Sequence, residues 1–258
     1  MSNIISKLLI MKPFSPMFIA LFILGILLLW VLTKVMKNAT DGAKRAVYII
    51  ICLLTVAGFF AYKYYLSMDT EFNIVASKFG GFNWWQELPL HLCNIHMILM
   101  PIAVATNKRS LLSFSFFVAP LGALMALLMP TLGFSGYSIL IPRILGFYGT
   151  HVMVIVEALA LYTLGFYKPE YKDIPQAALI TTIVATVVFG INLVLKFLKL
   201  CPNPNYFFLM QTEGNPILEL FYKYIPYPFL YALPCLIILA VYMLIVTFVI
   251  RKFVMKNK

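Results

Sequence analysis

Charge is what this chain has least of. Only 11% of its 258 residues are charged and only 9 are acidic, where a soluble globular chain carries about 25% charged residues. So few charges cannot cover a water-facing surface, which excludes a soluble globular domain. Cysteine is sparse as well: Cys52, Cys93, Cys201 and Cys235 lack metal-type spacing, and at least three lie in or beside apolar runs. That excludes a disulfide framework. There is no nucleotide-binding glycine loop, no internal repeat and no low-complexity tail, so no cofactor is expected. No cleavage signal stands near the first hydrophobic run, which therefore reads as a retained span.

What fills the chain instead is apolar surface. The composition is 62% hydrophobic, with Phe 22, Tyr 15 and Met 13, and the mean hydropathy is +0.93. Most of these side chains must face lipid or other helices, as in an all-α, polytopic membrane bundle forming one domain over residues 1–258. The net charge of +11 would suggest nucleic acid in a soluble protein. Here the basic residues cluster at segment ends, where membrane proteins keep them, so membrane lipids rather than nucleic acid are the expected partners.

Apolar runs of adequate length cover residues 14–35, 46–66, 88–106, 111–129, 144–165, 175–195 and 227–250. Seven spans put the termini on opposite sides. Pro101, Pro120 and Pro234 fall inside three runs and predict kinks. The first, third and fifth loops with the C-terminal tail hold Lys34, Lys37, Lys44, Arg45, Lys108, Arg109, Lys168, Lys172, Arg251, Lys252, Lys256 and Lys258. The other side holds Lys7, Lys12, Lys63, Lys78, Arg143, Lys196, Lys199 and Lys223. Twelve against eight places the C-terminus inside and the N-terminus outside, with Lys7 and Lys12 pulling the other way. The long connections 67–87 and 196–226 then lie outside and are expected to pack over the helix ends. Trp84, Trp85, Tyr224, Tyr227, Phe229 and Tyr231 fit an interfacial aromatic belt.

Polar residues inside the runs are costly unless paired or turned inward, so they are the best functional pointers. They are Glu87, His91, Asn94 and His96 around the third run, Arg143, His151 and Glu157 in the fifth, and Asn192 in the sixth. If residues 84–101 are helical, with Pro89 in the first turn, Glu87, His91 and Asn94 share one face, and Cys93 and His96 form a three-residue pair on another. Rise per residue puts Cys93 ~9 Å and His151 ~12 Å below the outer ends of their spans, and Glu157 at ~21 Å. Cys93 and His151 are thus nearly level.

A Cys and a His held level can act as nucleophile and base on an acyl carbonyl. Arg143 would hold a phosphate or carboxylate headgroup, and Asn94 would donate to the developing oxyanion. Gly122, Gly146 and Gly149 permit close helix approach and room for a lipid chain, although plain packing accounts for them equally. The structural alternative is that these polar residues only join helices. A metal site from His91, His96 and His151 lacks a supporting motif, because His91 and His96 diverge on a regular helix. A proton relay through His151 and Glu157 would suit a small-solute transporter, and a non-catalytic membrane partner protein is the third class.

The stretches LPLHLCNIHMILMPIA (88–103), RILGFYGTHVMVIVEAL (143–159) and NPNYFFLMQTEGNPILELFYKYIPYPFLY (203–231) resemble the YwaF-like family of bacterial integral membrane proteins. That family is similar in turn to eukaryotic transmembrane acyltransferases that remodel ether phospholipids. The resemblance implies a multi-pass protein of the bacterial cell membrane acting on a phospholipid or lysophospholipid. It also implies an acyl-carrying cysteine at Cys93 and a histidine base at His151, with His91 as a supporting group; Glu87, Asn94, Arg143, Glu157 and Asn192 stand beside them as substrate-site candidates on the cost of intramembrane polar residues alone. The QTEG segment at 211–214 departs from the family's pattern, which has a shorter, more basic stretch there.

Overall fold

A computed structural model describes residues 7–77, 81–131 and 133–254. Lys78, Lys256 and Lys258 of the charge count lie outside the described residues. The helices are α1 (Pro16–Val35), α2 (Asp41–Met68), α3 (Thr70–Ser77), α4 (Leu92–Thr106), α5 (Arg109–Leu128), α6 (Pro142–Thr163), α7 (Ile174–Phe197), α8 (Pro216–Tyr222) and α9 (Cys235–Val249). Two short strands, β1 (Ile10–Met11) and β2 (Tyr137–Ser138), pair antiparallel with Met11 opposite Tyr137.

Among the described residues, six helical segments are long and apolar enough to cross a membrane: α1, α2, α5, α6, and the segments Tyr171–Phe197 and Leu230–Phe253 that contain α7 and α9. The protein is a multi-pass membrane bundle. Its centre is α6, which packs against α5, α2, α1 and α4. Two-thirds of the apolar stretch of α6 is buried against 11% of that of α1. Ile19, Ile23, Leu27, Trp30 and Val31 of α1 are exposed, as a lipid-facing helix requires.

The third expected run departs from expectation. It gives α4, a helix of 15 residues, about 22 Å long against a hydrocarbon core of about 30 Å. The helix does not reach back to Glu87, because Leu88 precedes Pro89 and a residue before proline is driven out of the α region. Residues 84–86 form a single 3-10 turn, and α4 begins only after His91, its N-cap. At its far end α4 stops at Asn107, which takes a left-handed conformation. Arg45 donates there to the Val104 carbonyl and to Asn107 Oδ1, satisfying acceptors that a helix end leaves open.

Two further expectations are corrected. Pro101 and Pro120 lie inside α4 and α5, but Pro234 is the N-cap of α9 and starts that helix. Tyr224 and Tyr227 are exposed with Trp84 and Trp85, whereas Tyr231 is fully buried and donates to the Phe208 carbonyl. Tyr231 is thus a core residue.

The close approach of α2 to α6 occurs at Gly146. A Cβ there would lie 2.1 Å from Cβ of Tyr62, while one at Gly149 would meet nothing within 4 Å. The contrast gives a paired test. Gly146→Ala should destabilise the detergent-solubilised protein by about 1–3 kcal/mol or more, the usual cost of overpacking. Gly149→Ala should leave the melting temperature unchanged or raise it, since alanine favours a helix over glycine by up to about 1 kcal/mol. Thermal unfolding of the two variants side by side checks both.

Candidate active site

The ends of α2, α4, α6 and α9 converge at one end of the bundle around a cavity of about 860 Å³, at the upper end of ligand-site volumes. The segments expected to pack over the helix ends do so. Gly81, Phe82, Gln86 and Glu87 from the first connection line the cavity, as do Asn203, Asn205, Tyr206, Gln211 and Glu213 from the second. Irregular backbone is tolerated at such depth where it lines a cavity instead of facing lipid. The apolar part of the wall includes Leu121, Met125 and Ile238.

Cys93 and His151 meet in this cavity. The sulfur lies 3.3 Å from His151 Nε2, and both residues are buried. His151 Nδ1 lies 2.7 Å from the Phe147 carbonyl. A carbonyl oxygen only accepts, so that contact places the ring proton on Nδ1 and leaves Nε2 as an acceptor directed at the thiol. The imidazole also packs on the Phe147 ring, with centroids 4.5 Å apart. In the neutral ring this arrangement turns the Nε2 lone pair toward the thiol. Asn94 Oδ1 is 3.5 Å from the sulfur, and Asn94 lines the cavity with Cys93.

Cys93 occupies the second position of α4 and Asn94 the third. The N-cap, His91, makes no side-chain capping hydrogen bond. The first N–H groups of the helix therefore lack a side-chain cap from His91, and those of Cys93 and Asn94 lie within reach of the Cys93 sulfur. Gly122 stands opposite, where a Cβ would come within 3.4 Å of the Cys93 nitrogen.

The other sequence candidates divide between the cavity and the framework. Glu87 and His91 line the cavity but do not share a helical face with Asn94, for the reason given above. Glu87 pairs with Lys63, and His91 lies against the rings of Tyr206 and Phe208 at 5.1 and 5.6 Å. His96 is not the imidazole beside Cys93: it turns toward α5, with Nδ1 3.3 Å from Ser115 Oγ and its ring on Phe114. Among the described residues no cluster of three His, Cys, Asp or Glu is arranged to hold a metal ion.

Arg143 is buried and does not line the cavity. It forms ion pairs with Asp69 and, at 2.8 Å, with Glu71, and donates to the Gly133 carbonyl at 3.2 Å. Its guanidinium ties the junction of α2 and α3 to the start of α6. Glu157 is closed in by Thr55 and Tyr48 between α2 and α6, also outside the cavity lining.

Asn192 acts at one remove. Its amide donates to the Tyr206 carbonyl and accepts from the Tyr206 N–H, both at 3.0 Å. Tyr206 Oη in turn donates to the Trp85 carbonyl at 2.7 Å and accepts from the Leu88 N–H at 3.0 Å. Burial pushes this phenol above its ordinary pKa, so it stays a proton donor. Asn192 therefore fixes Tyr206, which fixes the segment carrying Glu87 and His91.

Sequence reasoning missed Lys63, Tyr62 and Tyr206 as cavity residues. For Lys63 the signal was present, a single lysine near the end of an otherwise apolar run, but it had been counted as flanking charge. Gln211 and Glu213 of the departing QTEG segment also line the cavity. Asn205 holds that loop, accepting from the N–H groups of Met210 and Gln211 and donating to Glu213 at 2.6 Å.

The sequence profile of the TMEM164 family matches residues 10–247. The resemblance carried by the Leu-Pro-Leu-His-Leu-Cys stretch is thus assigned to that family, a distant relative of the YwaF-like proteins, and not to the YwaF-like family itself. No curated protein and no solved structure matches the chain.

Replacing Tyr206 with Phe removes both hydroxyl contacts to the 85–88 segment. At about 0.5–1.5 kcal/mol per hydrogen bond, Tyr206→Phe should cost about 1–3 kcal/mol of stability. It should also raise hydrogen exchange locally at residues 84–91, which peptide-level exchange mass spectrometry would detect. Unchanged exchange there would rule out the strut.

Proposed function

Because the chain belongs to the TMEM164 family and buries a Cys–His contact in a largely apolar cavity, we propose that it is a membrane-embedded phospholipid acyltransferase. The observation that carries this reading is the 3.3 Å contact between Cys93 sulfur and His151 Nε2, with the tautomer set by the Phe147 carbonyl.

In the first half-reaction His151 Nε2 removes the thiol proton, and the thiolate attacks the ester carbonyl carbon of a donor phospholipid. The oxyanion develops beside the uncapped N–H groups at the start of α4, a preorganised set of donors. When the intermediate collapses, the carbon–oxygen ester bond breaks. The departing lysophospholipid alkoxide takes the proton held on Nε2, and the acyl group remains on Cys93 as a thioester. In the second half-reaction a lysophospholipid hydroxyl gives its proton to His151 and attacks the thioester. The thiolate leaves and is reprotonated, so atoms and charge balance over the cycle. No external cofactor enters.

Asn94 and His91 line the acyl-transfer point, and Glu87 stands at the polar wall. Arg143, Asn192 and Glu157 serve by fixing helices and loops. In this reading α4 and its preceding segment together make the seventh crossing, the cavity end is the outer one, and the C-terminus is inside. A proton-coupled transporter would need His151 and Glu157 on one path, and Glu157 is walled off by Tyr48 and Thr55.

Purified protein incubated with diacyl phospholipid should gain a fatty-acyl mass that is absent from Cys93→Ala. His151→Ala should form the adduct about 10²–10⁴-fold more slowly, the usual contribution of a general base. Intact-mass and lipid analysis check both, and an equal adduct on Cys93→Ala would sink the thioester mechanism.

A further inference from the structure

The cavity contains one charged pair close to the nucleophile. Lys63, near the end of α2, is buried and pairs with Glu87, and its ammonium also lies 4.8 Å from the Tyr62 ring centroid and 5.4 Å from that of Phe59. Lys63 is the only lysine or arginine among the described residues lining the cavity. Arg143, the other buried cation at this end of the bundle, is already committed to two carboxylates and a carbonyl.

Removing a lysine and a glutamate from water costs several kcal/mol per ion, and packed apolar residues are often at least as stabilising as the pair they replace. Structural need alone is therefore a weak reason for such a pair on a cavity wall beside a Cys–His contact. An ammonium has three donors, and the Glu87 carboxylate takes one of them. Glu87 orients the cation at the cavity wall. A tetrahedral oxyanion entering the cavity finds a preset cation with donor capacity to spare, and lysine is well suited to phosphate as a compact point charge.

We propose that Lys63 is the phosphate anchor of the lipid site, with Glu87 as its resting counter-ion. This rests on the lipid reading of the cavity given above. The anchor fixes the headgroup at the α2 wall, and thereby the distance along the glycerol from the phosphate to the ester presented to Cys93. Lys63 is a binding and positioning residue in this scheme and takes no part in bond making.

The test measures binding, in the Cys93→Ala background, of a dialkylglycerol phosphate against the matching dialkylglycerol, whose ether chains cannot acylate a thiol. Native mass spectrometry of the detergent-solubilised protein reads the ratio. The phosphate-bearing lipid should bind about 10- to 100-fold tighter, the preference a charge-assisted hydrogen bond confers. The preference should persist in Lys63→Arg and vanish in the neutral double variant Lys63→Gln/Glu87→Gln, which leaves no unpaired buried charge. A preference unchanged in the double variant, or absent from the parent, overturns the proposal. Displacement of the lipid by inorganic phosphate at equal concentration would identify free phosphate as the ligand and overturn the lipid anchor. Because binding is read without Cys93, loss of the acyl adduct in the earlier experiment would leave this result standing, and the two readings fail separately.

Discussion

The whole polar end of the bundle depends on α6 lying flush against α2. The absence of a side chain at Gly146 lets the helix backbone meet Cβ of Tyr62, and that contact sets the position of everything one or two turns away. His151 lies five residues further along α6. Lys63 follows Tyr62 directly, so the same contact that seats the imidazole also seats the cation. Arg143, at the start of α6, locks the arrangement by holding Asp69 and Glu71 where α2 gives way to α3.

The short α4 is the second constraint. A helix spanning the whole hydrocarbon core would have carried Cys93 deep within a satisfied hydrogen-bond ladder. Starting at Leu92 puts the cysteine in the first turn, where backbone N–H groups have no helical acceptor. The distance that the helix gives up is filled by residues 81–91, held by the Tyr206 hydroxyl and, behind it, the Asn192 amide. Proline in this segment thus ends regular structure where the chain forms a cavity wall, and the Trp85 carbonyl and Leu88 N–H find their partner in the Tyr206 hydroxyl.

Much of this could be read from the residues in advance. Long apolar runs matched six spanning helices to within a few residues, and the expected nearness of Cys93 to His151 agrees with their 3.3 Å contact, although the helical rise from residue 87 behind that expectation does not hold, because the helix starts at Leu92. Helix rotation was harder. Spacing paired Glu87 with His91 and Cys93 with His96, whereas the chain is not helical before Leu92 and His96 faces Ser115. Local periodicity had no means of finding Lys63 with Glu87, separated by 24 residues, or Asn192 with Tyr206, because tertiary packing alone creates those pairs. The cost of burying charge flagged Arg143 correctly as unusual, yet it could not say that two carboxylates from the α2–α3 junction would answer it.

That cost argument selects two populations of residues that only the cavity separates. Glu157, His96, Asn192 and Arg143 are buried polar groups whose partners are other protein atoms, and each joins helices or holds a loop. Lys63, Glu87, His91, Cys93, Asn94 and His151 are also largely shielded, but they share a wall against space that a ligand can occupy. In the first group His96 Nε2 and Glu157 Oε2 are buried without a hydrogen-bond partner among the described residues, but they lie away from the cavity lining. The second group holds its capacity against the cavity: an imidazole nitrogen facing a thiol, an ammonium with donor capacity to spare, and a first helical turn that the N-cap side chain leaves uncapped. Bonding capacity beside accessible volume, more than intramembrane polarity itself, is what marks this end of the bundle as the candidate site.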